Sequence, residues 1–363
     1  MDKNDCMNEN ILTLINPKIL DLKAYHVPPA EGFIKLDAME NPYQWNNALQ
    51  QQWLKVLERV SINRYPDPLG QNIKKMLRQT MQIPDSAEII LGNGSDELIQ
   101  MLCLAIGGKN HTLLSVEPSF VMYKMLSTVT GLNYVGIPLQ PDDFSLNLVQ
   151  FLQAIEEHQP ALIFLAYPNN PTGNPFQRSD IEEILRISKG IVVIDEAYCA
   201  FAEDSFISDL PKYPNLLVMR TLSKVGLAGL RLGFLAGSAD WLHEIEKTRL
   251  PYNINVLTQA TVEFALQHYD ILLEQTAQIK RDRAKVFEVL SSLKKVKVYP
   301  SEANFILFRV ENAISVFNAL KDHKILIKNL HGSNPLLENC LRMTIGTPDE
   351  NQAFLSVLLE ILQ

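Results

Sequence analysis

The sequence predicts an α/β fold: a large unit with a mostly parallel sheet flanked by helices, followed by a smaller α+β unit. Three observations predict it. Between about residues 89 and 236, short apolar runs alternate with segments of helical period, the pattern of buried parallel strands joined by crossover helices. The polar and glycine-containing stretches fall at the ends of those runs, where open sheets of this kind bind ligands. After Pro251 the order changes to a long helical stretch and then short strands with few crossovers between them.

Taken in order, residues 1–44 carry little periodicity and three prolines, Pro28, Pro29 and Pro42. They read as an N-terminal arm packing on the smaller unit. Leu49, Trp53, Val56, Leu57 and Val60 then recur at helical spacing. The run from Asn63 to Gly70, N-R-Y-P-D-P-L-G, is a constrained surface loop, and Ile73, Met76 and Leu77 mark one face of the next helix. Strands are expected at 89–91, 112–116, 134–139, 162–166, 191–194, 216–219 and 232–236. Ser179 and Glu182 form a capping-box pattern opening a helix that Gly190 closes. One long helix is expected over 258–293, then strands at 296–298, 305–310, 325–327 and 341–345. Thr347-Pro348-Asp349-Glu350 combines a capping box with proline at the first helical position and opens the last helix. The large unit spans 45–250 and the small one 251–363 on this reading.

Composition narrows the function classes. The 363 residues are 47% hydrophobic and 20% charged, ordinary for a chain with a large core. A net charge of -8 argues against a nucleic-acid partner but leaves small anions open, because a local Arg and Lys cluster decides those. Cys6, Cys103, Cys199 and Cys340 are far apart with no C-x-x-C pair, so reduced thiols and no metal site are expected. The polar, acidic start lacks a signal-peptide core, and no apolar run is long enough to span a bilayer, so a cytoplasmic protein is the expectation.

The chemistry concentrates in residues 220–233, R-T-L-S-K-V-G-L-A-G-L-R-L-G. A lysine desolvated there, Lys224, loses its proton more easily and becomes a nucleophile. Ser223 and Arg231 beside it suit a phosphate. An amine nucleophile next to an anchored phosphate suggests pyridoxal phosphate held as a Schiff base; the alternative is a surface lysine in a glycine-rich turn. Gly94-Ser95-Asp96 opens a helix whose free amides favour a phosphate, or simply caps it. The stretch is not G-x-G-x-x-G and no Walker lysine follows, which disfavours a dinucleotide or ATP and with it a nicotinamide-dependent reductase. Asp195, at the end of an apolar run, would keep a pyridine nitrogen protonated, or is a strand-end cap. Tyr198 and Asn170 would donate to a ring oxygen. Phe120 would stack on a ring, or is core. Arg342, a lone arginine among strand residues, needs an anion, either from a substrate or from an internal acid.

The ordered set GNGSDE, EPSF, PNNPTG, DEAY, SKVGLAGLR and LRMTIGT resembles that of the histidinol-phosphate aminotransferases, pyridoxal-phosphate enzymes of fold type I, over nearly the whole chain. The resemblance implies that Lys224 is the Schiff-base lysine and proton-shuttling base, and that Asp195 partners the ring nitrogen. It assigns Tyr198 and Asn170 to the ring oxygen, Phe120 to the ring face, and Gly94, Ser95, Asp96, Ser223 and Arg231 to the phosphate. Tyr65 would reach the phosphate of a second subunit in a homodimer. Tyr25, Asn41, Lys328 and Arg342 would contact substrate, with Lys328 standing where relatives often carry arginine, and the loop after Lys224 is one residue shorter than in many relatives. The implied reaction moves an amino group from glutamate to imidazole acetol phosphate, giving histidinol phosphate and 2-oxoglutarate. An aromatic-amino-acid aminotransferase or a threonine-phosphate decarboxylase on the same scaffold is the alternative. A non-catalytic effector-binding domain would need a DNA-binding arm, for which the first 44 or so residues are too few and too acidic.

Overall fold

The computed structural model describes residues 13–22, 24, 29–108 and 110–363. Strands are numbered along the chain. The short β1 (Ile34–Lys35) belongs to the smaller unit, and the next seven build the central sheet: β2 (Glu88–Gly92), β3 (Thr112–Glu117), β4 (Asn133–Pro138), β5 (Leu162–Ala166), β6 (Ile191–Asp195), β7 (Leu216–Thr221) and β8 (Gly233–Gly237). Among the described residues the sheet has seven strands in the order β2-β8-β7-β6-β5-β3-β4. The pairs β3–β4, β3–β5, β5–β6 and β6–β7 are parallel; β8 runs antiparallel to both β7 and β2. The continuous apolar runs of β5, β6 and β7 are buried along their whole length, because helices cover both faces. One face packs Leu98, Leu102, Tyr123 and Phe164 together, and the other packs Phe151, Ile163, Ile181 and Ile184.

The smaller unit holds β9 (Lys297–Val298), β10 (Phe305–Arg309), β11 (Ile325–Leu326), β12 (Lys328–Asn329) and β13 (Cys340–Thr344). Its sheet runs β12-β13-β10-β9, all antiparallel, while β1 pairs in parallel with β11. Thr347 caps the helix Pro348–Leu362 with the expected reciprocal bonds to Glu350.

Four expectations are corrected. The helical stretch after residue 250 is two helices, Val256–Gln267 and Tyr269–Ser292, because His268 leaves the helical region at φ −120, ψ 32. The first of these packs on the helices Asn47–Leu57 and Gln71–Thr80 of the large unit. The second carries Leu272 in the large-unit core and Ile279, Val286 and Leu290 in the small-unit core, so the passage between units lies along this helix rather than at residue 250. The arm does not pack on the small unit alone: β1 does, but the short helix Pro17–Leu20 lies against the helix Val121–Thr130 of the large one. Ser179 does not cap its helix, which starts one residue earlier at Arg178; Glu182 accepts from Arg178 Nε instead, and the helix ends at Ile187 before Gly190.

Candidate active site

The carboxyl ends of β5, β6 and β7 converge on a cavity of about 90 Å³ lined by Asn170, Asp195, Tyr198, Ser223 and Lys224, with Ser95, Asp96, Phe120 and Arg231 closing its other walls. Nine residues chosen from sequence thus meet in one place. After β7 the chain makes a wide helical turn, Ser223–Leu227, and a tight one, Ala228–Leu230, before Arg231 turns it back into β8. Gly226 breaks the first turn at φ 125, a conformation open to glycine at little cost. Arg231 is held left-handed at φ 50, which aims its guanidinium across the cavity at Asp96, 3.1 Å away. That approach needs Gly94: a Cβ there would sit 2.6 Å from Arg231 Nη2, and one on Gly233 would sit 2.9 Å from Ser95 N. The two glycines let β8 and Arg231 close on the start of the helix Ser95–Ile106, whose free amides attract an anion. Ser223 is fixed from behind, since Thr221 Oγ1 donates to its hydroxyl at 2.9 Å.

Burial, and next the Arg342 charge, push the Lys224 amine down to about 8 from an ordinary 10.5. Its Nζ lies 5.8 Å from the centroid of the Tyr198 ring, and that ring packs edge-on against Phe305. Burial raises the Tyr198 phenol, which therefore stays protonated and able to donate. Asp195 is buried at the end of β6. Burial pushes its carboxyl up to about 6, opposed by hydrogen bonds from the Tyr123 hydroxyl (2.7 Å) and the Ala197 amide (3.1 Å). Asn169 ties the two loops around the cavity together, donating to the Pro118 carbonyl and to Thr172 and accepting from Ser119. Asn170 Oδ1 accepts from Arg342 Nη1 at 2.5 Å. A guanidinium only donates, so the Asn170 amide is fixed with its NH₂ on the other side.

Phe120, Asn170 and Met39 also line a second chamber of about 380 Å³, which carries Arg342 and Lys328 on one wall and Glu117, Lys124 and Tyr134 elsewhere. Met39 arrives from the arm: β1 and the Thr344-to-Leu36 bond hold that segment on the small unit, and Asn304 donates to the Met39 carbonyl.

One site expectation is corrected. Asn41 lines neither cavity; its amide donates to Val225 O and Gln275 Oε1 and its oxygen accepts from Tyr43 N, so it braces the Lys224 turn instead of facing a substrate. Tyr65, expected to serve a second subunit, lies away from the cavity of its own chain: it is 80% exposed and stacks on Tyr252 with ring centroids 4.4 Å apart. Tyr25 lies outside the described residues. Sequence reasoning missed Met39, Thr221 and Tyr123. Thr221 had a signal in the T-x-S spacing before the lysine; Tyr123 had none, because its hydroxyl meets Asp195 only in the fold. Among the described residues there is no cluster of metal-ligating side chains, no helix long and apolar enough to cross a membrane, and Cys103, Cys199 and Cys340 are free thiols.

The model of the family described as aminotransferase class I and II matches residues 31–358. The chain is 51% identical over 352 residues to histidinol-phosphate aminotransferase 2 of Nitrosococcus oceani, covering 96% of this chain and 98% of that protein. It is likewise 51% identical to a histidinol-phosphate aminotransferase of Chromobacterium violaceum, over 97% of this chain and 99% of the other. The fold matches the crystal structure of a histidinol-phosphate aminotransferase from Sinorhizobium meliloti in complex with pyridoxal-5'-phosphate, with a TM-score of 0.85, 22% identity and coverage of 96% and 98%.

Proposed function

The chain belongs to the class I and II aminotransferases, and on that premise we propose that it is a histidinol-phosphate transaminase: it moves an amino group between glutamate and imidazole acetol phosphate with pyridoxal phosphate as cofactor. The observation that carries this reading is one cavity holding a desolvated lysine and a buried carboxylate, beside a chamber bearing Lys328 and Arg342. The relatives at 51% identity support the choice of substrate.

The residues present fit the cofactor. The Ser95 helix start, Ser223 and Arg231 form a cup for its phosphate, kept open by the bare Gly94. Lys224 would hold its aldehyde carbon covalently, Asp195 would face its ring nitrogen, Tyr198 and Asn170 its ring oxygen, and Phe120 one ring face. Bound there, pyridoxal phosphate supplies an electron sink for negative charge on the substrate's amino-bearing carbon. The protein does the rest. Lys224 Nζ, once free, would take the proton from that carbon and later return one. Its depressed pKa keeps a usable neutral fraction near pH 7. Asp195 would hold positive charge at the ring nitrogen. Arg342 and Lys328 meet the substrate's distal anion, a carboxylate in glutamate and a phosphate in histidinol phosphate, so one site serves both in turn and kinetics are ping-pong. Lys328 offers a point charge without a bidentate fork, leaving Arg342 the main anchor.

The exposed Tyr65 and Tyr252, stacked on each other, support a homodimer in which Tyr65 serves the partner's phosphate cup. A cytoplasmic location goes with this biosynthetic role.

Two outcomes are expected. With 2-oxoglutarate as acceptor, histidinol phosphate should exceed phenylalanine as donor in kcat/KM by roughly 10² or more, since only the former places a dianion on Arg342. Equal use of phenylalanine would favour an aromatic-amino-acid enzyme, and carbon dioxide release from threonine phosphate would favour the decarboxylase. Second, uptake of pyridoxal phosphate by the apoprotein should accelerate as pH rises through about 8, following loss of the Lys224 proton. An ordinary lysine would give a limb near 10.5 instead, and stopped-flow absorbance distinguishes the two.

A further inference from the structure

Tyr123 is the buried group closest to the chemistry that the proposed reaction leaves without a role. It sits on the helix Val121–Thr130, fully buried, stacked on Phe164 with centroids 4.7 Å apart and edge-on to Phe120 at 5.6 Å. Those contacts are apolar and a phenylalanine would make them equally well. The hydroxyl is different: it donates to Asp195 Oδ2 at 2.7 Å, while the Ala197 amide donates to Oδ1. Burial, with the Asp195 charge behind it, raises the Tyr123 phenol well above its ordinary value, so the phenol keeps its proton and acts as donor.

We propose that Tyr123 is a positioning residue that acts through Asp195: its hydrogen bond holds the carboxylate in its anionic form, so that the proton shared between Asp195 and the cofactor's ring nitrogen stays on the nitrogen. The inference rests on the pyridoxal-phosphate reading above. A buried carboxylate is a stronger base than a solvated one, and burial alone would draw that proton onto Asp195 and leave the ring neutral. A donor to the charged form opposes this. The other titratable groups facing Asp195 do not supply that opposition: Asp96 and Glu196 raise its pKa, and Tyr198 and Cys199 bring no positive charge to it.

The test uses holoenzyme reconstituted with pyridoxal phosphate labelled with ¹⁵N in the ring, comparing wild type with Tyr123→Phe. The wild-type nitrogen should give the NMR shift of a protonated pyridine. In Tyr123→Phe the shift should move towards the neutral ring, and the cofactor Kd should rise by roughly tenfold or more, the effect of losing a hydrogen bond to a charged group. In an Asp195→Asn background the same substitution should change neither quantity further. An unmoved shift in Tyr123→Phe, or an equal loss of affinity with and without Asp195, overturns the proposal, the second by making Tyr123 a packing residue. Should Tyr123→Phe fold poorly, 4-fluorophenylalanine placed at position 123 keeps the ring and fills the place of the hydroxyl without donating. It should move the nitrogen towards the neutral ring, and no movement is again decisive against the proposal. A wild type that takes up no cofactor defeats the underlying reading instead, which separates the two failures.

Discussion

Lys224→Ala should lower transamination by about 10⁴-fold or more while the protein still folds and still binds pyridoxal phosphate weakly. Removing the amine removes two roles at once, the covalent hold on the cofactor and the base that moves the substrate proton, and general acid–base catalysis alone is worth roughly 10²–10⁴. No other amine can replace it, because Lys224 is the only lysine that lines the cavity among the described residues. Stability should change little: the amine is held below its ordinary pKa by burial, so its charged form is unfavourable in the fold. Single-turnover mixing of the variant with cofactor and histidinol phosphate measures the effect. An undiminished rate would remove Lys224 from the mechanism.

Asp195→Asn should have the next largest effect, on the order of 10³-fold in kcat, by analogy with the loss of one group that stabilises charge developing in a water-excluded site. The amide has the same shape but cannot stabilise positive charge on a ring nitrogen, and the Tyr123 hydroxyl would still find an oxygen to donate to. The apoprotein should behave in the opposite sense. The Asp195 pKa is raised on folding, from 3.8 to about 6, so its contribution to stability is complete below pH 3.8 and is lost as pH rises through about 6. Above pH 6 the buried anion is therefore a burden that asparagine relieves. Apo Asp195→Asn should melt no lower than the wild type at pH 7.5 even though its activity has collapsed. A variant that lost melting temperature and activity together would mark Asp195 as a structural group, and the site would need another partner for the cofactor.

Much of this was legible before any coordinates. The continuous apolar runs at 162–166 and 191–194 read as strands buried on both faces, which places the polar residue after the second, Asp195, at the sheet's carboxyl edge. A lysine following the run at 216–219 is placed beside it. What was not legible depended on contacts distant in sequence. Asn41 falls in a loop that reads equally well as a substrate contact or as a brace, and only its approach to Val225 and Gln275 decides for the brace. The break at His268 leaves no proline or glycine in the sequence to mark it. Tyr123 looks like one more aromatic on an amphipathic helix, and its hydroxyl acquires meaning only when β6 brings Asp195 within 2.7 Å. Met39 is carried to the cavity by pairing between β1 and β11, some 290 residues apart in the register Ile34 to Ile325, which no local pattern announces.

The central claim is a covalent bond between one amine and the cofactor, and borohydride reduction tests it most directly. Protein supplied with pyridoxal phosphate should turn yellow, lose that colour on reduction, and yield on proteolysis and mass spectrometry a single pyridoxyl adduct on the peptide bearing Lys224. Protein that stays colourless, or an adduct confined to another lysine such as Lys328, would contradict it.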